Sequence, residues 1–450
     1  MAYSIDQIML TLAAITYRGF YLTLPEPAKR ARMYQAMTDC LRKLGPVKDQ
    51  WDIVWGPVSF NSVHAGFDDA AMFIARQRGK PATFAIAVRG TNPLSLFDWV
   101  FGDFMVTQQV PWSYGAAAAD VRISLSTALG LRILQHLRAE PQAPNVVQES
   151  ARAQPQGLRR IASALYEFAT GKAQEELRRL STALQSLGGL AQLMKPASLK
   201  ESIDAMRERL SSQTVRDARE ALARTLERSP RLDPLGLMMS DIELQQAFGS
   251  GIDLREFLKT EIAQSEGPVE VYVTGHSKGG ALSSTLALWL AETQGRDPVP
   301  EEDQWDPRHR ATVYAYSFAG PTAGNGKFAA HSNAVIGPRC HRLVNRLDVV
   351  PHAWAVSDLE HIPNLYELPE VEQRMLKRVV DEGIQRVKDL DYQQVGDVVT
   401  ELPGVLVRGK PLLLQLVHQH LDGYLQQMDL GEEMNTLTFF APVLWTASGP

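Results

Sequence analysis

The segment Gly275-His276-Ser277-Lys278-Gly279 is a G-x-S-x-G pentapeptide. Its residue types and spacing suit nucleophilic acyl transfer. A serine hydroxyl becomes useful for that chemistry when a sharp turn lifts it clear of a sheet edge. The turn is so tight that the positions two residues to either side must lack side chains. It also sets Ser277 at the start of the following helix, where backbone N–H groups and the helix dipole favour developing negative charge. The flanking residues fit this context: Val269-Glu-Val-Tyr-Val-Thr274 reads as a strand and Ala281–Glu292 as a helix. The competing reading is a glycine-rich turn in which Ser277 only caps a helix.

A nucleophilic serine needs a base, and the base needs an acid to orient it. On a strand–turn–helix scaffold of this type the chain order is serine, acid, histidine, so both partners are sought downstream. Asn345-Arg-Leu-Asp348-Val-Val-Pro351 places an aspartate just past a predicted strand, Cys340–Asn345. Asp348 is the candidate acid, with Asp358 and Glu360 as weaker rivals and a turn-forming aspartate as the structural alternative. The histidines beyond it are His352, His361, His418 and His420. His418 and His420 lie on one apolar helix, where two residues differ in direction by about 200°, so at most one faces the site. His420, which precedes Leu421-Asp-Gly-Tyr424, is the candidate base. An oxyanion would be held by the backbone N–H of Lys278 and by a donor from the loop after an earlier strand. Val88-Arg89-Gly90-Thr91 is such a loop, and Thr91 offers both a backbone N–H and a hydroxyl.

These residues need a scaffold, and the chain reads as one. Residues 1–50 suggest two helices, the first carried by Ile5, Ile8, Met9, Leu12 and Ile15. Strands are predicted at Trp51–Phe60, Ala71–Ala75 and Phe84–Val88, the last an unbroken apolar run of the kind buried on both faces of a parallel sheet. Residues 120–138 read as a helix. From 139 to 252 the chain becomes rich in Ala, Arg, Glu, Gln and Leu with almost no strand signal, and helical periodicity is seen at Gly157–Ala169, Ala173–Leu187 and Ser198–Glu227. Strand and helix alternate again from 253, with a helix at Leu254–Gln264 and a strand at Ala311–Phe318, and further helices follow at 369–389 and 410–428. The expectation is an α/β chain with a central, mostly parallel sheet, flanking helices and a large helical insertion. Residues 1–138 and 253–450 would form the catalytic domain, and 139–252 a cap or partner-docking module.

Composition narrows the function. The chain has 450 residues, 45% of them hydrophobic and 22% charged, with a net charge of −5. A sizeable core is affordable and no basic arm is present, which argues against nucleic acid. Cys40 and Cys340 stand alone, outside any metal or redox spacing, and read as free thiols. No metal cluster is legible and the chemistry needs no cofactor. The N-terminal stretch lacks a basic n-region and carries Asp6, so it reads as an amphipathic helix rather than a leader. The expected location is cytoplasmic, or outside the cell by a route without a cleaved signal. No run is long enough for a membrane-spanning helix. Oligomeric state is not legible.

Ala87-Val-Arg-Gly-Thr91, Asp98-Trp99 with Asp103, Val273-Thr-Gly-His-Ser-Lys-Gly-Gly-Ala281, Phe318-Ala-Gly-Pro-Thr-Ala-Gly-Asn325 and Asn345-Arg-Leu-Asp-Val-Val-Pro351 together resemble the fungal-type triacylglycerol lipases, the class 3 lipases. The resemblance covers about 80–137 and 253–355. It implies an α/β-hydrolase fold and a serine esterase acting on lipid esters, with Ser277, Asp348 and His420 as triad and Thr91 with Lys278 as oxyanion hole. Trp99 and Asp103 would brace the loop carrying Thr91. The chain departs from the family in having Lys278 where leucine is usual, and in lacking a clear Val-His-x-Gly-Phe segment, for which Asp120-Val-Arg-Ile stands in.

Residues Asn92–Met105 are apolar enough to form a lid at a lipid interface, and equally to be a core helix. A lipid or small ester substrate is expected, with transient contact with a membrane or lipid surface. A phospholipase A1 or a soluble esterase is the alternative within the class. A catalytically silent lipase-like binding protein is the alternative outside it.

Overall fold

The computed structural model describes residues 2–18, 26–60, 70–80, 82–89, 104–118, 120–140, 213–229, 248–295, 299–407, 412–432 and 434. Its centre is a sheet of seven strands: β1 (Trp51–Phe60), β2 (Ala70–Gln77), β3 (Thr83–Val88), β4 (Val269–His276), β5 (Ala311–Phe318), β6 (Cys340–Asn345) and β7 (Val398–Leu402), ordered as numbered. The first two pairings are antiparallel. The other four are parallel, with Val88 beside Gly275, His276 beside Phe318 and Phe318 beside Leu343. This is the α/β-hydrolase arrangement, a mostly parallel sheet with helices on both faces. The carboxyl ends of β3 to β6 therefore open on one edge, where such sheets place their chemistry.

Alternation along the strands sorts side chains into two cores. Phe84, Ile86 and Val88 of β3, with Val269, Val271 and Val273 of β4, face α3 (Leu125–His136), α5 (Leu254–Gln264) and α6 (Lys278–Glu292). Ala85 and Ala87, with Tyr316, Phe318 and Leu343, face α1 (Ile5–Ile15) and α2 (Glu26–Lys43). Helix α1 starts at a capping box between Ser4 and Gln7, and its Met9, Leu12 and Ile15 are fully buried. All six residues of β3 are buried, as its unbroken apolar run predicts.

A third cluster forms beneath the loop after β6, the strand that follows α7 (Gly326–Ile336). Val349, Val350 and Trp354 pack there against Leu376 and Val380 of α8 (Glu370–Val387) and Leu416 of α9 (Leu412–His420). It fixes the acid loop and the histidine helix relative to each other.

Among the boundaries that differ from the sequence-based expectation, three change how the site is built. The helix after Ser277 begins at Lys278 rather than Ala281. Residues Arg122–Ser124 are a strand, and helix α3 starts only after Ser124, whose hydroxyl caps it. The single helix expected over 410–428 is two, α9 and α10 (Asp422–Gln427), broken at Leu421.

The ends of the 139–252 segment are clasped together, since Arg138 pairs with Asp253 and Ala139 with Ile252. Within it, α4 (Gln213–Arg228) buries Leu222 and Leu226 in the same core as Ile123 and Trp112, and Arg122 forms a bidentate pair with Glu227. The helices read at 157–169 and 173–187 lie outside the described residues.

Candidate active site

The serine turn is built by steric exclusion. Ser277 has φ 63° and ψ −131°, a conformation that non-glycine residues rarely adopt. A Cβ on Gly275 would stand 2.1 Å from the carbonyl oxygen of Gly279, and one on Gly280 would stand 2.7 Å from that of Phe318. The strain is held by Ser277 N–H donating to Phe318 O at 2.9 Å and Ser277 O accepting from Gly280 N–H at 2.8 Å. Ser277 heads α6, yet its hydroxyl makes no capping bond to the helix. That separates it from the plain N-cap serine of the competing reading.

Asp348 follows β6 and is completely buried. Its Oδ1 accepts from Val350 N–H at 3.0 Å, which turns the loop back on itself. Its Oδ2 lies 2.8 Å from His420 Nδ1 and accepts from the Tyr424 hydroxyl at 3.0 Å. Because a carboxylate oxygen only accepts, His420 carries its proton on Nδ1 in this pair, leaving Nε2 as the acceptor. His420 is 1% exposed.

Of the rival histidines, none reaches Asp348. His418 faces Asp422 at 3.4 Å, and exposed His361 bonds Ser357 O through Nδ1. His352 Nε2 has no partner among the described residues.

Two residues of the site went unrecognised in the sequence. His276, read only as a variable position of the pentapeptide, lies with its ring centroid 4.6 Å from that of His420, and its Nε2 is 2.8 Å from His420 O. Tyr424 sits four residues after His420 but on α10, beyond the break at Leu421, so no helical period links the two in the sequence. Burial and the Asp348 charge push the Tyr424 phenol well above its ordinary range, so it remains a donor. Its oxygen also accepts from Asn345 N–H at 3.0 Å, and Asn345 Nδ2 donates to Gln419 O at 2.8 Å. Strand β6 and helices α9 and α10 are thereby locked around the carboxylate.

Lys278 is the first residue of α6 with a half-buried side chain. Thr91, Trp99, Asp103 and residues 92–103 of the expected lid lie outside the described residues. Phe104–Thr107 is a short 3-10 helix, tied down by the Tyr392 hydroxyl donating to Val106 O at 2.7 Å. Among the described residues, no helix is long and apolar enough to cross a membrane, and no group of three or more His, Cys, Asp or Glu is arranged to hold a metal.

Residues 212–357 match the family model described as Lipase (class 3), a span that includes both Ser277 and Asp348. Among solved structures, the chain is similar to M37 lipase, with a TM-score of 0.63 and 24% identity over 98% of this chain and 99% of that one. This likeness shows the shared fold. A triacylglycerol lipase from Penicillium expansum (TM-score 0.36, 13% identity, 90% and 83% coverage) and Lip2 lipase from Yarrowia lipolytica (0.34, 10%, 92% and 84%) also match. A search of curated proteins finds no match.

Proposed function

We propose that this chain, whose residues 212–357 match the class 3 lipase model, is a carboxylic ester hydrolase that cleaves acylglycerols or related lipid esters through an acyl-enzyme on Ser277. The observation that carries this reading is the buried His420–Asp348 pair, 2.8 Å apart, whose imidazole is in ring contact with the residue preceding Ser277. His420 Nε2 takes the proton of Ser277 as Oγ attacks the ester carbonyl. The oxyanion is held by the Lys278 N–H at the head of α6 and by Thr91, each donor worth on the order of 10²–10³ in rate. The imidazolium then protonates the leaving alcohol. Water activated by the same nitrogen attacks the acyl-enzyme and releases the acid. Asp348 holds the imidazole in the tautomer that both steps require. Contact with a lipid surface through the residues that follow Thr91 belongs to the same proposal.

The test is hydrolysis of p-nitrophenyl esters from C2 to C16 by the wild type and by Ser277→Ala. The expected result is activity that rises toward long acyl chains and is lost in the variant. Activity retained by Ser277→Ala overturns the assignment of the nucleophile, and a preference for C2 to C4 replaces the lipase with a soluble esterase.

A further inference from the structure

The buried imidazole of His276 is not needed for any bond-making step, yet it touches the base. Its Nε2 lies 2.8 Å from the carbonyl oxygen of His420. A carbonyl only accepts, so Nε2 carries a proton. On the other side of the ring, Nδ1 is 3.4 Å from the Tyr17 hydroxyl. The ring is enclosed by Tyr17 edge-on at 6.2 Å, by Tyr424 edge-on at 5.8 Å and by His420 at 4.6 Å, with Phe318 beside it in the sheet. Among the described residues, no carboxylate bonds to it. Full burial and the nearness of His420 hold its pKa well below the ordinary imidazole value, so it is neutral. The neutral Nε2–H tautomer then leaves Nδ1 as the nearer acceptor for the Tyr17 hydroxyl, at 3.4 Å against 3.5 Å for the His276 carbonyl oxygen.

The carbonyl it binds stands at a particular place. His420 closes α9, and Leu421 departs from helical geometry with φ −117° and ψ −77°. A helix end leaves carbonyls without intrahelical partners. At this one the partner comes from the residue before Ser277. One hydrogen bond thus connects the backbone of the base to the side chain of the residue before the nucleophile, independently of the Asp348 side chain.

We propose that His276 is a positioning residue for His420: its Nε2–H fixes the end of α9 so that the base meets the Ser277 hydroxyl, and Tyr17 at the end of α1 fixes the tautomer that makes this bond. The proposal rests on the reading of His420 as base. Being neutral, His276 does this without opposing the positive charge that His420 acquires in the transition state.

The experiment compares His276→Leu, His276→Gln, Tyr17→Phe and His420→Ala on one p-nitrophenyl ester, with rates divided by active sites titrated with a serine-reactive phosphonate. Leucine removes the donor, and the glutamine amide can replace Nε2–H. The expected result for His276→Leu is kcat lower by about 10- to 100-fold with KM within about threefold, and for His276→Gln recovery to within about fivefold of wild type. The acid limb of the kcat/KM profile keeps its wild-type midpoint in His276→Gln, because His276 does not titrate there. Tyr17→Phe, which removes one hydroxyl from an otherwise unchanged ring, lowers kcat several-fold and serves where His276→Leu does not fold. Wild-type kcat per titrated site in His276→Leu or Tyr17→Phe, or a glutamine variant no better than leucine, overturns the proposal. Activity surviving in His420→Ala overturns instead the triad reading on which it rests.

Discussion

Tyr424 donates its hydroxyl to the same Asp348 oxygen that faces His420 Nδ1, at 3.0 Å and 2.8 Å respectively. Two donors on one buried oxygen hold the carboxylate in a single orientation. The tyrosine is also an acceptor for Asn345 N–H, so it joins the acid loop to strand β6. Tyr424→Phe leaves that buried N–H without its partner. The expected outcome is a loss of about 1–3 kcal/mol in stability, read by chemical denaturation, with a fall in kcat/KM of roughly tenfold.

Asp348→Asn keeps the volume but turns one acceptor into a donor. The carboxylate accepts from Val350 N–H, Tyr424 and His420. An amide cannot accept all three, and the histidine is driven to the other tautomer. The predicted loss is on the order of 10⁴ in kcat with KM little changed, measured on the ester that the wild type cleaves best.

Gly275→Ala tests the serine turn itself. The new Cβ would meet the Gly279 carbonyl oxygen at 2.1 Å and the Val88 carbonyl oxygen at 3.0 Å, both backbone atoms that cannot swing aside. The expected cost is more than about 4 kcal/mol, the range in which point changes become exceptional. Thermal unfolding of purified protein, or failure to obtain folded protein, is the readout.

His276 carries a pH signature in stability. Its folded-state pKa lies well below the ordinary 6.5, so the unfolded chain binds the proton more readily. Stability from this group is complete above pH 6.5 and is lost as pH falls below it, by at most about 1.4 kcal/mol per pH unit. Unfolding free energy measured from pH 7.5 to 5 should decline less steeply in His276→Gln than in the wild type. Parallel curves would show that the imidazole is not buried neutral.

Helix α4 separates packing from charge. Leu226 is 5% exposed within the main core, and Glu227 next to it pairs with Arg122 at the surface, with half its side chain in water. Leu226→Ala should cost about 2–4 kcal/mol and Glu227→Gln less than about 1 kcal/mol. Equal costs in denaturant titrations would mean that the ion pair, rather than burial, holds this helix against the main core.

The serine turn, the strands that flank it and the amphipathic helices α1 and α5 were legible in the amino-acid sequence because their determinants are local. A glycine two residues before Ser277, an apolar strand run and a helical period all act within a few residues of one another. Asp348 was legible for a related reason, since it follows directly from a strand end. The sequence put His420 first among four histidines, but its pairing with that acid exists only in the tertiary structure, because it joins positions 72 residues apart and leaves no periodic trace. Tertiary structure also decided the break at Leu421, which an apolar helical pattern conceals and which the His276 bond to the His420 carbonyl accompanies. The same holds for α4, whose Leu222 and Leu226 look like any helical apolar stripe until their burial against Ile123 and Trp112 joins them to the catalytic core. Side-chain hydrogen bonds and packing between distant segments depend on where the sheet brings those segments, and that placement exists only once the chain has folded.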